Sequence, residues 1–313
     1  MKQHNDHDRI AIIGAGHVGS TAAYALMLRA LVREIVLIDS DAALAQAEAI
    51  DISDANALAR PARIWAGDYK DAASARLAVV TAGAATYGKE TRLSVGDRSA
   101  KIVSECVDAL MAVGFDGILI IASNPVDVMA HVAFSRAGLP SNQVLGTGTL
   151  LDTSRLHQAL ATQLNVAPNA IEAVVIGEHG DSEVAVFSGI RIGGIPVDEF
   201  ASREPQNLAG LADEVRTAGY RIIEGKGYTS FGVATAIVRI CEAILRDERT
   251  ILPVSTLLTG EFGLSDVYLS LPCILGASGV ERVLLPQLDN NEFAQLRISA
   301  QKIQIALAGL KSK

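Results

Sequence analysis

An α/β chain built on a doubly wound parallel sheet, with an α+β half after it, is the fold class this sequence predicts. Three observations carry that reading. Through about Gly146, short β-branched apolar runs alternate with helical stretches; a glycine turn, Gly14-Ala15-Gly16-His17-Val18-Gly19, joins the first run to the first helix; after Thr147 the alternation is lost.

Ile10 to Ile13 is unbroken apolar sequence, as a strand covered on both faces requires. The helix that follows runs from Val18 to Ala30. Strands are then expected at Glu34 to Ile38, Leu77 to Thr81, Gly117 to Ala122 and Gln143 to Leu145, and helices at Ala42 to Leu58, Asp97 to Val113 and Val126 to Ala137. The second half reads as a helix over Asp152 to Leu164, strand signals at Ile171 to Ile176 and Ser182 to Ile192, and helices at Leu208 to Glu224 and Ser230 to Arg246. Strand signals at Thr250 to Leu257, Val267 to Leu275 and Val280 to Leu285 precede a closing helix from Asn290. The expected organisation is a polar tail over 1–9, a dinucleotide-binding domain over 10–146 and a substrate domain over 147–313. No low-complexity linker separates the halves, so they should pack around a shared cleft.

The 313 residues carry a formal charge of −8 and no run of Lys and Arg, which argues against a nucleic-acid groove. An anionic ligand must then be held by a local cation. The longest apolar runs are strand-sized, well short of the roughly 20 residues that span a bilayer, so no membrane segment is expected. Cys106, Cys241 and Cys273 are odd in number and lack metal-ligand spacing, and are expected to be reduced thiols in a cytoplasmic protein.

In the glycine turn, Gly14, Gly16 and Gly19 permit a tight turn, close approach of backbone to a pyrophosphate, and close packing of helix on strand. Asp39 ends the second strand twenty residues beyond Gly19, where a carboxylate can accept hydrogen bonds from ribose hydroxyls. It would repel a 2′-phosphate, so NAD is favoured over NADP. His179 lies between Gly177 and Gly180 after an apolar strand, and Asp152 can fix its tautomer while the other ring nitrogen exchanges a proton with a ligand. No second His stands at ligand spacing, so no metal is expected. Arg155 follows Asp152 by one helical turn, a spacing that suits a bidentate clamp on a carboxylate and equally an intrahelical ion pair. Arg92 falls in Gly83 to Leu93, a stretch with two glycines, Gly83 and Gly88, that reads as a mobile lid; alone, it reads equally as a solvated charge.

Taken together, these residues resemble the NAD-dependent lactate and malate dehydrogenases. The resemblance runs through the Gly14 turn, Thr81-Ala82-Gly83-Ala84, Glu90-Thr91-Arg92, Ser123-Asn124-Pro125-Val126-Asp127, Gly146-Thr147-Gly148-Thr149, Leu151 to Arg155, Gly177 to Asp181 and Lys226-Gly227-Tyr228-Thr229. The block from Glu178 to Asp181 and that from Asp152 to Arg155 are most similar to the L-lactate, or L-2-hydroxyacid, branch. The resemblance implies a Rossmann-type NAD domain and a reversible hydride transfer between NADH and pyruvate or a related 2-oxo acid. In it, His179 is the proton carrier, Asp152 its anionic partner, Arg155 the carboxylate clamp, and Arg92 the group that polarises the carbonyl. It further implies that Asn124 and Thr229 line the substrate pocket, that Val18, Tyr69, Gly83, Ala84, Asn124 and Thr147 surround the cofactor, and that the chain forms a homotetramer or homodimer.

Three positions depart from the family pattern, in two places. Thr86, six residues before Arg92, stands where lactate-specific members have Gln and malate-specific members have Arg. A second substrate carboxylate would then be desolvated without a partner, which disfavours malate and admits side chains longer than a methyl. The positions that hold fructose 1,6-bisphosphate in some bacterial members are occupied by His157 and Glu172, and an acid facing a phosphate is repulsive.

Overall fold

The computed structural model describes residues 9–59, 61–84, 92–201 and 208–311, and the side chains of 92–94, 208–209 and 311 are not described. Thr86, and most of the stretch from Gly83 to Leu93, therefore lie outside the described residues. Arg92 opens a helix, and its side chain lies outside them too.

The first half alternates β1 (Arg9–Ile13), α1 (His17–Leu28), β2 (Glu34–Ile38), α2 (Ala42–Asn56), β3 (Arg63–Ala66), α3 (Tyr69–Ala72), β4 (Leu77–Val80), α4 (Arg92–Ala112), β5 (Ile118–Ile121), α5 (Val126–Ala137) and β6 (Val144–Gly146). All six strands pair in parallel, in the spatial order β6-β5-β4-β1-β2-β3. The order reverses between β1 and β4, and ligands of such sheets bind at the carboxyl ends of the strands beside that switch. β1, β4 and β5 are apolar on both faces because helices cover both: Ile10 and Ile12 pack into one buried cluster, Ala11 and Ile13 into another.

Two elements of this half were not anticipated. The edge strand β3 and the short helix α3 hold Arg63-Ile64-Trp65-Ala66 and Tyr69, a stretch broken by Pro61 and Gly67 and too short for periodicity to register.

The second half contains α6 (Leu150–Leu164), β7 (Ile171–Glu172), β8 (Val175–Ile176), β9 (Val184–Ala185), β10 (Arg191–Ile192), β11 (Ile195–Pro196), α7 (Val197–Phe200), α8 (Leu208–Lys226), α9 (Phe231–Leu245), β12 (Thr250–Thr259), β13 (Ser265–Gly276), β14 (Gly279–Val283) and α10 (Asn290–Lys311). The single run expected over Ser182 to Ile192 is in fact two strands split by a 3₁₀ turn at Phe187–Gly189. The long hairpin β12-β13-β14 joins the parallel sheet through β12, where Ser255 pairs antiparallel with Gly146 of β6, giving one nine-stranded mixed sheet. The two halves thus share a sheet as well as a cleft.

Among the described residues no helix is long and apolar enough to cross a membrane. Cys106, Cys241 and Cys273 are all buried and unpaired.

Candidate active site

The glycine turn is a backbone device. Gly14 takes φ +105°, and a Cβ there would stand 2.6 Å from the Ala82 amide nitrogen. A Cβ on Gly19 would stand 1.9 Å from the Gly14 carbonyl oxygen, so this glycine lets α1 press against β1. Gly16 is different: nothing lies within 4 Å of its missing Cβ, and as the residue capping α1 it makes no side-chain hydrogen bond. The first N–H groups of α1 have no intrahelical partner and lie at a positive helix end, a cradle that fits a diphosphate. Asp39 follows β2 with its Oδ2 accepting from the Ala15 N–H at 2.6 Å and its Oδ1 from the Asp41 N–H at 2.9 Å, which fixes the carboxylate beside the turn.

Around this turn, Val18 packs on the cluster beneath α1. Gly83 and Ala84 follow β4, with the Ala84 N–H donating to Ser99 Oγ at 3.2 Å. Tyr69 packs against the core from α3, its hydroxyl pKa pushed up by burial and by the neighbouring Cys106.

The surroundings of His179 are assembled from distant segments. Thr153 Oγ1 accepts from the Val175 N–H at 2.9 Å, tying α6 to β8. The chain leaving β8 is stapled in turn: Gly177 exchanges hydrogen bonds with Ser270 of β13, and the Glu178 N–H donates to Ser299 Oγ of α10 at 2.6 Å. Gly177 has φ +88°, and a Cβ there would meet Ser299 Oγ at 2.7 Å. The His179 N–H donates to Asp127 Oδ2 at 2.8 Å, and Asp127 Oδ1 accepts from Ser255 at 2.6 Å. Asp127 is 1% exposed, and burial, partly offset by Ser255 and His179, pushes its pKa up to about 6.

With both anchors fixed, His179 Nδ1 lies 2.6 Å from Asp152 Oδ2. Asp152 sits in the first turn of α6, where the helix dipole favours a carboxylate, and is 2% exposed. Its Oδ1 accepts from Arg155 Nη1 at 2.9 Å, so the intrahelical ion pair does form, with one guanidinium nitrogen committed to it. Burial opposes a charged imidazole, but the charge and hydrogen bond of Asp152 outweigh it and hold His179 at about 9. Burial likewise opposes charge on Asp152, yet His179 and Arg155 pull its pKa below the usual carboxylate range. At neutral pH the resting pair is therefore imidazolium and carboxylate.

His179, Asp152, Arg155, Asn124 and Thr229 all line one cavity of about 350 Å³, with Val95, Leu151, Tyr220, Ile223 and Val233 among its other walls. A smaller crevice adjoins it, bounded by Asn124, Thr147, Leu151, His179 and Val233. Of the residues placed at the cofactor, Asn124 and Thr147 reach these walls and adjoin the substrate set at His179, whereas Gly14, Gly16, Val18, Gly19, Asp39, Tyr69, Gly83 and Ala84 line neither space. Sequence reasoning missed Glu183 and Arg216, which line the cavity too; the one available signal was an acid set in the apolar run Glu183-Val184-Ala185-Val186-Phe187.

A glycine turn of phosphate-cradle form at the head of a parallel sheet, together with a cavity that holds a buried His–Asp pair and an arginine, defines a class: the nicotinamide-dependent dehydrogenases. Residues 8–146 match the lactate/malate dehydrogenase NAD binding domain, and residues 149–311 match the lactate/malate dehydrogenase alpha/beta C-terminal domain. The chain is 43% identical over 307 residues to an L-lactate dehydrogenase of Thermus aquaticus, covering 96% of this chain and 99% of that one. It is 43% identical over 297 residues to an L-lactate dehydrogenase of Priestia megaterium, covering 93% of each. Among solved structures, a lactate dehydrogenase from a Medee basin deep-sea metagenome superposes with a TM-score of 0.94 at 37% identity over 97% of this chain and 99% of that one. The minor L-lactate dehydrogenase of Enterococcus mundtii, in its ligands-bound form, also gives 0.94, at 36% identity over 97% and 98%. The chain belongs to the lactate/malate dehydrogenase family, and its cofactor is NAD.

Proposed function

We propose that this chain is an NAD-dependent L-lactate dehydrogenase that interconverts pyruvate, or a related 2-oxo acid, and its L-2-hydroxy acid. The observation that carries the proposal is the 2.6 Å contact of His179 with buried Asp152, in the cavity that Arg155 also lines.

NAD, when bound, supplies or accepts the hydride. The chain's own residues do the rest. Asp152 holds Nδ1 of His179, so that Nε2 faces the ligand and donates a proton to a 2-oxo group or takes one from a 2-hydroxyl. The guanidinium nitrogens of Arg155 not committed to Asp152 bind the substrate carboxylate, and Arg92 polarises the carbonyl. Asn124, Thr229 and Thr86 line the substrate, while Gly14, Gly16, Val18, Gly19, Asp39, Tyr69, Gly83, Ala84, Asn124 and Thr147 surround the cofactor. The deciding test ranks pyruvate, 2-oxobutyrate, 2-oxoisocaproate, phenylpyruvate and oxaloacetate by kcat/KM with NADH. Pyruvate or a longer monocarboxylate is expected to lead, and a clear preference for oxaloacetate overturns the proposal.

A second reading, a broad-specificity L-2-hydroxyacid dehydrogenase of the hydroxyisocaproate kind, draws support from the cavity's volume and from its apolar walls at Val95, Ile223 and Val233. The same panel separates the two, since this reading predicts 2-oxoisocaproate above pyruvate.

A cytoplasmic homotetramer or homodimer with domains over 10–146 and 147–313 completes the proposal. Fructose 1,6-bisphosphate should not activate it: His157 Nε2 is engaged with the Ala173 carbonyl at 2.8 Å, and Glu172 sits exposed on β7. Assays with and without the sugar should give the same KM for pyruvate.

A further inference from the structure

Glu183 ends the turn that begins with His179. Its backbone N–H closes the turn on the Gly180 carbonyl at 3.2 Å, and the next residue, Val184, pairs with Ile176 across β8 and β9. His179 and Glu183 are thus held on the two sides of one hairpin end. The Glu183 residue is 7% exposed, and one of its oxygens shares a space no wider than 4.8 Å with an Asp152 oxygen and a His179 ring nitrogen. Both Asp152 oxygens are already committed, one to His179 and one to Arg155. Among the described residues no hydrogen bond or salt bridge reaches the Glu183 carboxylate. An ionised carboxylate so placed would be buried, unpaired and pressed against a second carboxylate, which is a costly arrangement.

The charged groups that face it are Asp152 and Arg155 from α6, His179 from its own turn, and Arg216 from α8. Glu178 and Asp181 lie on the same turn, with Asp181 accepting from the Tyr220 hydroxyl at 2.9 Å. Arg216 lines the same cavity; its Nη1 donates to Asp213 at 2.8 Å, and its buried Nε has no hydrogen-bond partner.

We infer that Glu183 is a third member of the proton site, a positioning residue that acts through Asp152 and His179 and sets the pH at which His179 gives up its proton. The inference rests on the reading of His179 as the proton carrier. Burial and the Asp152 charge push Glu183 up to about 8, against the pull of His179, Arg216 and Arg155. It is therefore neutral when the resting pair is charged, and ionises shortly before His179 titrates. Once ionised, it adds a further negative charge to those of Asp152 and Asp127 beside the imidazolium and delays the loss of that proton.

The test reads His179 directly, without turnover. In the full-length protein labelled with ¹⁵N-histidine, the midpoint of the His179 ring resonance is followed against pH in the wild type and in Glu183→Gln. The variant should lose its proton about one unit lower, the size expected for removing a charge at this range. The alkaline limb of kcat/KM for the 2-oxo acid should move with it. An unchanged midpoint overturns the inference, even with a lowered Tm, because that pattern is what a purely structural residue gives.

Should the variant fail to fold, ¹³C-glutamate infrared difference spectra of the wild type decide instead. A glutamic-acid carbonyl band present at pH 7 and lost near pH 8 is expected, and Asp127 cannot supply it because only glutamate is labelled. Absence of that band at pH 7 overturns the inference. A shifted midpoint in a protein that turns over none of the 2-oxo acids upholds the role of Glu183 in the proton site and overturns the proposed activity.

Discussion

The glycine turn at the head of β1 and the proton site around His179 are built by opposite means. In the first, Gly14 and Gly16 lie in the turn between β1 and α1, Gly19 in the first turn of α1 and Asp39 just after β2, and what matters is the backbone and the missing Cβ atoms. In the second, α5, α6, the turn after β8, and β12 each contribute a side chain, and the parts meet through hydrogen bonds among buried polar groups. A local device fails when atoms are added to it; an assembled one fails when charges or donors are taken away.

The sharpest way to break this contrast is His179→Asn. It should cut turnover with pyruvate by about 10²–10⁴-fold, the usual worth of a positioned acid–base group. NADH binding, followed by fluorescence, should stay within a few-fold of the wild type, and undiminished turnover would remove His179 from the role given to it.

Next come the glycines, which separate packing from ligand contact. Gly19→Ala places a Cβ 1.9 Å from a carbonyl oxygen, and should cost about 1–3 kcal/mol in stability, read as a lower Tm. Gly16→Ala meets nothing within 4 Å in the free protein, so its Tm should hold while NADH affinity falls. Equal effects of the two on Tm would show that Gly16, too, is only a packing glycine.

Arg155→Lys exchanges a fork for a point charge and should raise KM for pyruvate by about tenfold or more, on the scale of 1.5–3 kcal/mol for hydrogen bonds to charged groups. Little change in KM would assign Arg155 to its ion pair with Asp152 alone.

The smallest effect near neutrality is that of pH. Because Asp152 holds His179 at about 9, pyruvate reduction, which needs the imidazolium, should be nearly flat from pH 6 to 8 and fall above 9, whereas oxidation of the hydroxy acid should rise over the same range. The stability linkage has the same sign. A folded pKa raised from the ordinary 6.5 stabilises the protein fully below about 6.5, and that contribution is lost as pH climbs through 9. A stability curve that is flat between pH 6.5 and 9.5 would mean that the His179–Asp152 contact is weak in solution.

Much of the first half was legible in the amino-acid order because its signals are short-range. Runs such as Ile10 to Ile13 and Leu77 to Val80 announce strands covered on both faces, and the spacing of Gly14, Gly16, Gly19 and Asp39 announces a βαβ turn. β3 and α3 escaped because four-residue elements carry no usable period. That β12 extends the parallel sheet through Ser255 and Gly146 could not be read at all, since one antiparallel pairing over a separation of more than a hundred residues leaves no local trace.

The same division runs through the candidate site. Chain order alone singled out His179, Asp152 and Arg155 as the candidates for proton-carrying and carboxylate-binding chemistry, because residue type and helical spacing are properties of the sequence. Only the tertiary structure decided that Asp127 anchors the His179 backbone and that Glu183 faces the pair. Both are acids whose role is set by burial and neighbours, and burial is fixed by which distant segments pack together.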